Sequence, residues 1–323
     1  MFTRADLDDA VTIVHATMPP TPQYRWPLLC ERLGLDAWVK HENMTPTGAF
    51  KVRGGLVYVE RLKARAPAVR HLVSATRGNH GQSIALAGVR AGLEVTIFVP
   101  HGNSPAKNRA MRAWGATLIE AGEDFDEAKL AAEDFATEHG AHLVPSFHAD
   151  LVCGVATYAL ELFTAAPPLD AVYVPIGMGS GLSAVTMTRD LLGLATEVVC
   201  VTVEGAPAFA QSFASGVACV GPAARTFADG MATRAPVQAV VDLARRGGVR
   251  VATVADAQVA DAMRVYFEDT RQVIEGAGAA PLAALMQERA AMRGKRAAVI
   301  ACGGNVDTAL FAQVLAGATP QPF

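Results

Sequence analysis

Short apolar runs alternate along this chain with stretches whose apolar positions recur at helical spacing. Val95-Thr96-Ile97-Phe98-Val99-Pro100 is a continuous apolar run that predicts a buried strand. Trp38-Val39-Lys40, His71-Leu72-Val73-Ser74, Ala116-Thr117-Leu118-Ile119, Ala171 to Pro175, Val198 to Val203 and Ala297 to Ala301 read as further strands. Between them, helical spacing runs over Phe50 to Ala66, Gln82 to Ala91, Pro105 to Trp114, Asp124 to His139 and Leu182 to Leu192. Strands that alternate with helices and are not themselves amphipathic predict an α/β fold with parallel sheets covered by helices on both faces. Most of the 29 Gly and 18 Pro fall at the ends of these elements, and no internal repeat is visible.

Composition narrows the class. In 323 residues, the AVILMFWYC set makes up 51% and charged residues 18%, which suits a well-buried globular chain and excludes disorder. With 28 Lys plus Arg against 31 Asp plus Glu, the formal charge is −3, so there is no basic excess for nucleic acid. The partner expected is a small molecule. Cys30, Cys153, Cys200, Cys219 and Cys302 are scattered and form no C-x-x-C pair, the pattern of reduced thiols. The first residues, Met1-Phe2-Thr3-Arg4-Ala5-Asp6, lack a long apolar region, so no signal peptide is expected. The longest charge-free window, Gly205 to Ala224, is too polar for a bilayer span, which needs about 20 mostly apolar residues. A cytoplasmic location with no membrane partner is the expectation.

Three places could carry chemistry. Lys51 follows the Gly-containing turn Thr45-Pro46-Thr47-Gly48-Ala49-Phe50 at the start of a helix. A helix N-terminus and apolar neighbours both disfavour an ammonium, which is what a Schiff-base lysine needs; a solvated surface lysine is the alternative. Gly177-Met178-Gly179-Ser180-Gly181-Leu182 lies between a strand and a helix, where backbone N–H groups can close on an anion. Leu182 stands where a dinucleotide fingerprint would need its third Gly, and no GK[ST] follows, so the loop is a phosphate cup of another kind or a plain tight turn. Ala301-Cys302-Gly303-Gly304-Asn305 also follows an apolar strand, and ligands of open α/β sheets collect beyond the carboxyl ends of strands. Cys302 alone would also suit a small buried hydrophobe. Among the eight His, His139 and His142 are too few for a zinc site and read as a solvated pair, so no metal is expected.

Taken together and in order, these motifs resemble the fold-type II pyridoxal-phosphate enzymes, and within them the serine/threonine dehydratase and serine racemase branch. The likeness runs from Thr21 to Leu310. It includes Lys40-His41-Glu42-Asn43, Gly78-Asn79-His80-Gly81-Gln82, Pro100 through Lys107 to Trp114-Gly115-Ala116, Thr226-Phe227-Ala228-Asp229-Gly230 and Glu275-Gly276-Ala277-Gly278-Ala279.

The resemblance implies a fold like tryptophan synthase β. Residues 1–68 and 148–323 would form a large cofactor-binding domain, 69–147 a smaller substrate-loop domain, and the cofactor, pyridoxal 5′-phosphate, would lie in the cleft. It also implies a homodimer. Lys51 would join the cofactor as a Schiff base, with Phe50 on the ring and Asn79 on its 3′-hydroxyl. Gly177, Met178, Gly179, Ser180, Gly181 and Leu182 would hold the phosphate, and Cys302 would face the pyridine nitrogen. Ser74, Thr76, Arg77, Gly78, Asn79 and His80 would hold the amino-acid substrate. The implied reaction is loss of water and ammonia from a β-hydroxy-L-amino acid, threonine or serine by default, with a β-aryl serine such as phenylserine or 3-hydroxyaspartate as alternatives. A β-replacement synthase and a non-catalytic cofactor-binding protein are the rival readings.

The sequence departs from the family pattern in four places. Ala49 and Thr45 replace the usual Ser and Gln, and the phosphate loop is one residue longer than the four-glycine form. Arg77 stands where a small hydroxyl is usual, and a guanidinium cannot shuttle protons, so little or no racemase activity is expected. The branch's divalent-metal site would map to Glu204, Ala208 and Ala210, where the Asp is missing, so weak dependence on divalent cations is expected. No length remains after the Cys302 strand and a final helix for a regulatory domain, so feedback inhibition through one is not expected.

Overall fold

The computed structural model describes residues 1–221 and 224–322. Its described strands, in chain order, are β1 Gln23–Arg25, β2 Asp36–Lys40, β3 His71–Ala75, β4 Glu94–Val99, β5 Thr117–Glu120, β6 His142–Leu143, β7 Ala171–Pro175, β8 Glu197–Val203, β9 Arg250–Val254 and β10 Arg296–Ile300. They form two separate sheets. One has the order β5-β4-β3-β6 and the other β1-β2-β10-β7-β8-β9. All pairings are parallel except β1 with β2. This is the α/β architecture that the alternating pattern predicts.

The chain divides into two compact units, Met1–Pro19 with Thr45–Thr157, and Pro20–Met44 with the chain from Tyr158 onward. The four-stranded sheet lies in the first. Val73, Ala75 and Phe98 of its strands pack on Ala132 and Ala136 of the helix Phe125–Glu138. This unit reaches beyond 69–147 because the helix Lys51–Arg65 packs on the helix Asn79–Arg90. A Cβ on Gly55 would sit 2.3 Å from Ser83 Oγ, so only glycine lets the two helices approach this closely. In the second unit, Val172, Tyr173, Val198 to Val201 and Ala297 to Ile300 are completely buried, as expected of central strands covered on both faces.

Both sheets share one topological feature. From β3 the chain steps to β4 and β5 on one side, and β6 returns on the other side of β3. From β7 it steps to β8 and β9, and β10 lies on the other side of β7. Strand order therefore reverses beside β3 and beside β7, and in open α/β sheets ligands bind outside the carboxyl ends of the strands at such a point. The loops after β3, β7 and β10 carry 76–78, 176–179 and 301–305.

No helix among the described residues is long and apolar enough to cross a membrane. The charge-free window Gly205 to Ala224 contains only the short helix Ala208–Ser215, and its Pro222 and Ala223 lie outside the described residues.

Candidate active site

In the first unit, Lys51 opens its helix directly after a closed turn. The Thr45 hydroxyl accepts from the Ala49 amide (2.9 Å) and donates to the Ala49 carbonyl (2.8 Å), and Gly48 takes the left-handed φ of 70° that the turn requires. Thr45 thus closes the turn with its own side chain where the family commonly has Gln, and Ala49 is fully buried. Two further close approaches fix the helix: a Cβ on Gly54 would meet the Leu151 carbonyl oxygen at 2.8 Å, and one on Gly154 would meet the Arg53 carbonyl oxygen at 2.3 Å. Arg53 itself is completely buried and donates to Thr157 Oγ1 at 2.9 Å.

Lys51 is half-buried, with its Nζ 5.1 Å from the centroid of the neighbouring Phe50 ring. Burial, with the Lys51 charge adding to it, pushes the His80 imidazole down to about 3, so it stays neutral in ordinary buffers. Lys51, Phe50 and His80 are therefore neighbours.

The loop after β3 is stiffened from within. Ser74 Oγ donates to the Val144 carbonyl (3.3 Å), and Thr76 Oγ1 accepts from the Gly78 amide (3.0 Å). A Cβ on Gly78 would come within 2.7 Å of Cδ of the buried Lys107. Asn79 then starts a helix whose first turn has no side-chain cap. The helix begins at Asn79 rather than at Gln82 because the polar residues of its first turn hide the apolar period.

In the second unit, Gly179 (φ 100°) heads the helix Ser180–Leu191, which likewise has no side-chain cap. The Gly177 loop, Thr226–Gly230, Glu275–Ala279 and the Cys302 loop all lie together. A Cβ on Gly177 would meet the Gly230 carbonyl oxygen at 2.3 Å, and one on Gly278 would meet the Gly303 carbonyl oxygen at 2.9 Å. The Glu275 amide donates to the Gly303 carbonyl at 3.0 Å. Cys302 is buried at the end of β10. Met178 is half-buried, and Ser180, Gly181 and Leu182 are buried in the first helical turn.

Lys40-His41-Glu42-Asn43 is also buried here, apart from Asn43. The Lys40 ammonium pairs with Glu161 at 2.6 Å, and Glu42 accepts from Thr21 Oγ1 at 2.5 Å. Trp26 Nε1 donates to His41 Nε2 (2.9 Å), which leaves His41 Nδ1 to donate to Asn43 Oδ1 (3.2 Å). Burial pushes the His41 imidazole down to about 4. The Asn43 amide donates to the Ala301 carbonyl, tying this segment to the Cys302 loop.

Some residues escaped the sequence reading. Asp256 accepts from Thr226 Oγ1 (2.6 Å) and from the Phe227 amide (3.2 Å), holding the Thr226 motif; an Asp opening a helix was the available signal. Val240, packed on the glycine at 179, carried none. His139 and His142 are not a solvated pair. His139 stacks on Phe135 with ring centroids 3.9 Å apart, and His142 bonds the Tyr58 hydroxyl at 2.8 Å, because β6 carries His142 into its sheet. Glu204 is exposed, and Ala208 and Ala210 add no carboxylate beside it.

The model of the family described as pyridoxal-phosphate dependent enzyme matches residues 15–303. The chain belongs to that family. In the second unit the uncapped helix N-terminus headed by glycines suits a phosphate, and in the first Lys51 beside the Phe50 ring suits an aldehyde, the two groups that pyridoxal phosphate carries. Similar proteins include L-threo-3-hydroxyaspartate ammonia-lyase of Pseudomonas sp, 31% identical over 92% of this chain and 93% of that protein. L-threonine ammonia-lyase of Geobacter sulfurreducens is 32% identical over 86% of this chain and 69% of that protein. Among solved structures, a threonine deaminase from T.th. superposes with a TM-score of 0.88 at 28% identity, covering 95% of this chain and 99% of that one. Maize serine racemase, at 24% identity, shares the fold with a TM-score of 0.90 over 97% of each chain.

Proposed function

We propose that this enzyme removes water and ammonia from a β-hydroxy-L-amino acid to give a 2-oxo acid. The observation that carries the reading is Lys51, half-buried at a helix start against Phe50 in a chain that aligns with ammonia-lyases of hydroxy-amino acids over most of its length. Bound pyridoxal phosphate supplies the electron sink that makes the Cα proton acidic.

The residues of this chain divide the remaining work. The Lys51 amine would take the Cα proton. Phe50 would pack on the cofactor ring and Asn79 would bond its hydroxyl. Backbone N–H groups of 177–182 would hold the phosphate, and those of 76–80 the substrate carboxylate. Cys302 would face the pyridine nitrogen. A thiol is a weaker hydrogen-bonding partner for that nitrogen than a carboxylate, which would weaken the sink and favour prompt loss of a β-leaving group. Lys51 would also give the departing β-hydroxyl its proton, and the released enamine takes up water to yield ammonia and the 2-oxo acid. The unit containing the four-stranded sheet serves as the substrate-loop domain.

The test is direct. The cofactor-loaded protein is incubated separately with L-threonine, L-serine, L-threo-3-hydroxyaspartate and L-threo-phenylserine, and ammonia and 2-oxo acid are measured. Equimolar release from a single amino acid is expected, with no D-amino acid. Formation of a β-substituted amino acid, without ammonia or 2-oxo acid and only after addition of a second nucleophile, would identify a β-replacement synthase instead, and no product in any mixture would leave a binding protein.

A further inference from the structure

The loop after β3 contains a cation with nothing to answer it. Among the described residues, the buried and half-buried arginines Arg53, Arg61, Arg189, Arg250, Arg264 and Arg296 each donate to a hydroxyl, a carboxylate or a backbone carbonyl. Arg77 is half-buried and has no hydrogen bond or ion pair among the described residues. A partly desolvated guanidinium without a partner is costly, and the cost disappears when an anion arrives.

Its position makes that anion a ligand rather than a structural partner. Arg77 lies at the carboxyl end of β3, where strand order reverses, in a loop held by the Thr76–Gly78 bond and roofed at Gly78 by Lys107. Two residues further on is the uncapped N-terminus of the helix Asn79–Arg90, a second element that favours negative charge. His80, neutral through burial, adds no competing charge, so Arg77 is the only charged side chain between 74 and 80.

We propose that Arg77 recognises a carboxylate on the β-carbon of the substrate, so that the preferred substrates are β-hydroxy amino acids of the 3-hydroxyaspartate type. This rests on the reading of 74–80 as the substrate loop. The helix N-terminus takes the α-carboxylate, and the guanidinium fork takes the second one. A methyl group in the same place, as in threonine, would shield Arg77 from water and offer it nothing.

The experiment compares kcat/KM for L-threo-3-hydroxyaspartate and L-threonine in the wild type, Arg77→Ser and Arg77→Lys, with calorimetric binding of succinate to each holoenzyme as a second readout. The wild type is expected to prefer the dicarboxylic substrate. Arg77→Ser lowers that preference about 100-fold and weakens succinate binding, while Arg77→Lys, which keeps the charge but loses the fork, restores part of both. A wild type that turns over threonine at least as efficiently, with the same ratio in Arg77→Ser, overturns this inference and leaves the ammonia-lyase reading standing. No ammonia from any β-hydroxy amino acid defeats the ammonia-lyase reading, and this inference with it.

Discussion

In the four-stranded sheet the chain leaves β3 through Thr76-Arg77-Gly78 into a helix that opens with Asn79 and His80. In the six-stranded sheet it leaves β7 through Gly177-Met178-Gly179 into a helix that opens with Ser180 and Gly181. Both loops lie where strand order reverses, and both helices lack a side-chain cap. Their chemistry is opposite. The first presents a guanidinium, an amide and an imidazole, and the second presents glycines with Met178 and Ser180. Shared topology thus provides two anion-favouring loops, and on the proposed reading the residues placed on them decide which one would hold the cofactor phosphate and which one would discriminate among substrates.

Among the described residues, each unit also buries one cation completely, and one polar partner of each can be compared. Lys40 in the second unit is paired with the carboxylate of Glu161, whereas Arg53 in the first donates to the hydroxyl of Thr157. Glu161→Gln removes the carboxylate that pairs with the buried Lys40 ammonium and should destabilise the protein by about 3–5 kcal/mol. Thr157→Val removes only a neutral acceptor and should cost about 1–3 kcal/mol. Thermal or denaturant unfolding of the two variants compares them, and equal losses would erase the distinction.

Each unit also holds a neutral buried imidazole, His41 or His80. The ordinary His pKa is 6.5, and His41 sits near 4 in the folded chain. Between these values the unfolded chain binds a proton that the folded chain does not. The stability His41 contributes is therefore complete above pH 6.5 and is lost as pH falls to about 4. The loss amounts to about 3 kcal/mol for this residue. His41→Gln should flatten that part of the pH–stability curve; an unchanged slope would mean that other groups carry it.

Gly177 is the smallest change with a specific reading. An added methyl would lie 2.3 Å from the Gly230 carbonyl oxygen, backbone against backbone, so Gly177→Ala must move the loop. Cofactor affinity should fall about 10- to 100-fold, equivalent to about 1–3 kcal/mol. Spectroscopic titration of the apoprotein with pyridoxal phosphate measures it, and unaltered affinity would remove this loop from the phosphate site.

Where hydrophobic period and chemistry agreed, the elements were legible in the sequence. β4, β7, β8 and β10 are long apolar runs buried on both faces, and each was readable to within a residue or so. The helix Arg4–His15 was not, because its capping box of Thr3 and Asp6 precedes a half-polar stretch. β9 was missed because Thr253 and Arg250 interrupt its apolar run. The helix Gly276–Glu288, with Gly278 and an internal Pro281, lacks the usual helical composition. At the candidate site, Lys51, the glycine loop and Cys302 were legible from their places between elements. The support from Asp256, Trp26 and Glu161 was not, since it comes from residues far apart in sequence that only the fold brings into contact.

On the proposed reading, Lys51 both moves the proton at Cα and holds the cofactor. Lys51→Ala, loaded with pyridoxal phosphate and given a β-hydroxy amino acid, measures it most directly through ammonia release and the visible absorbance of lysine-bound cofactor. Turnover should drop by about 10⁴-fold or more, and the lysine-dependent absorbance should vanish. Retained turnover together with retained absorbance would contradict the account.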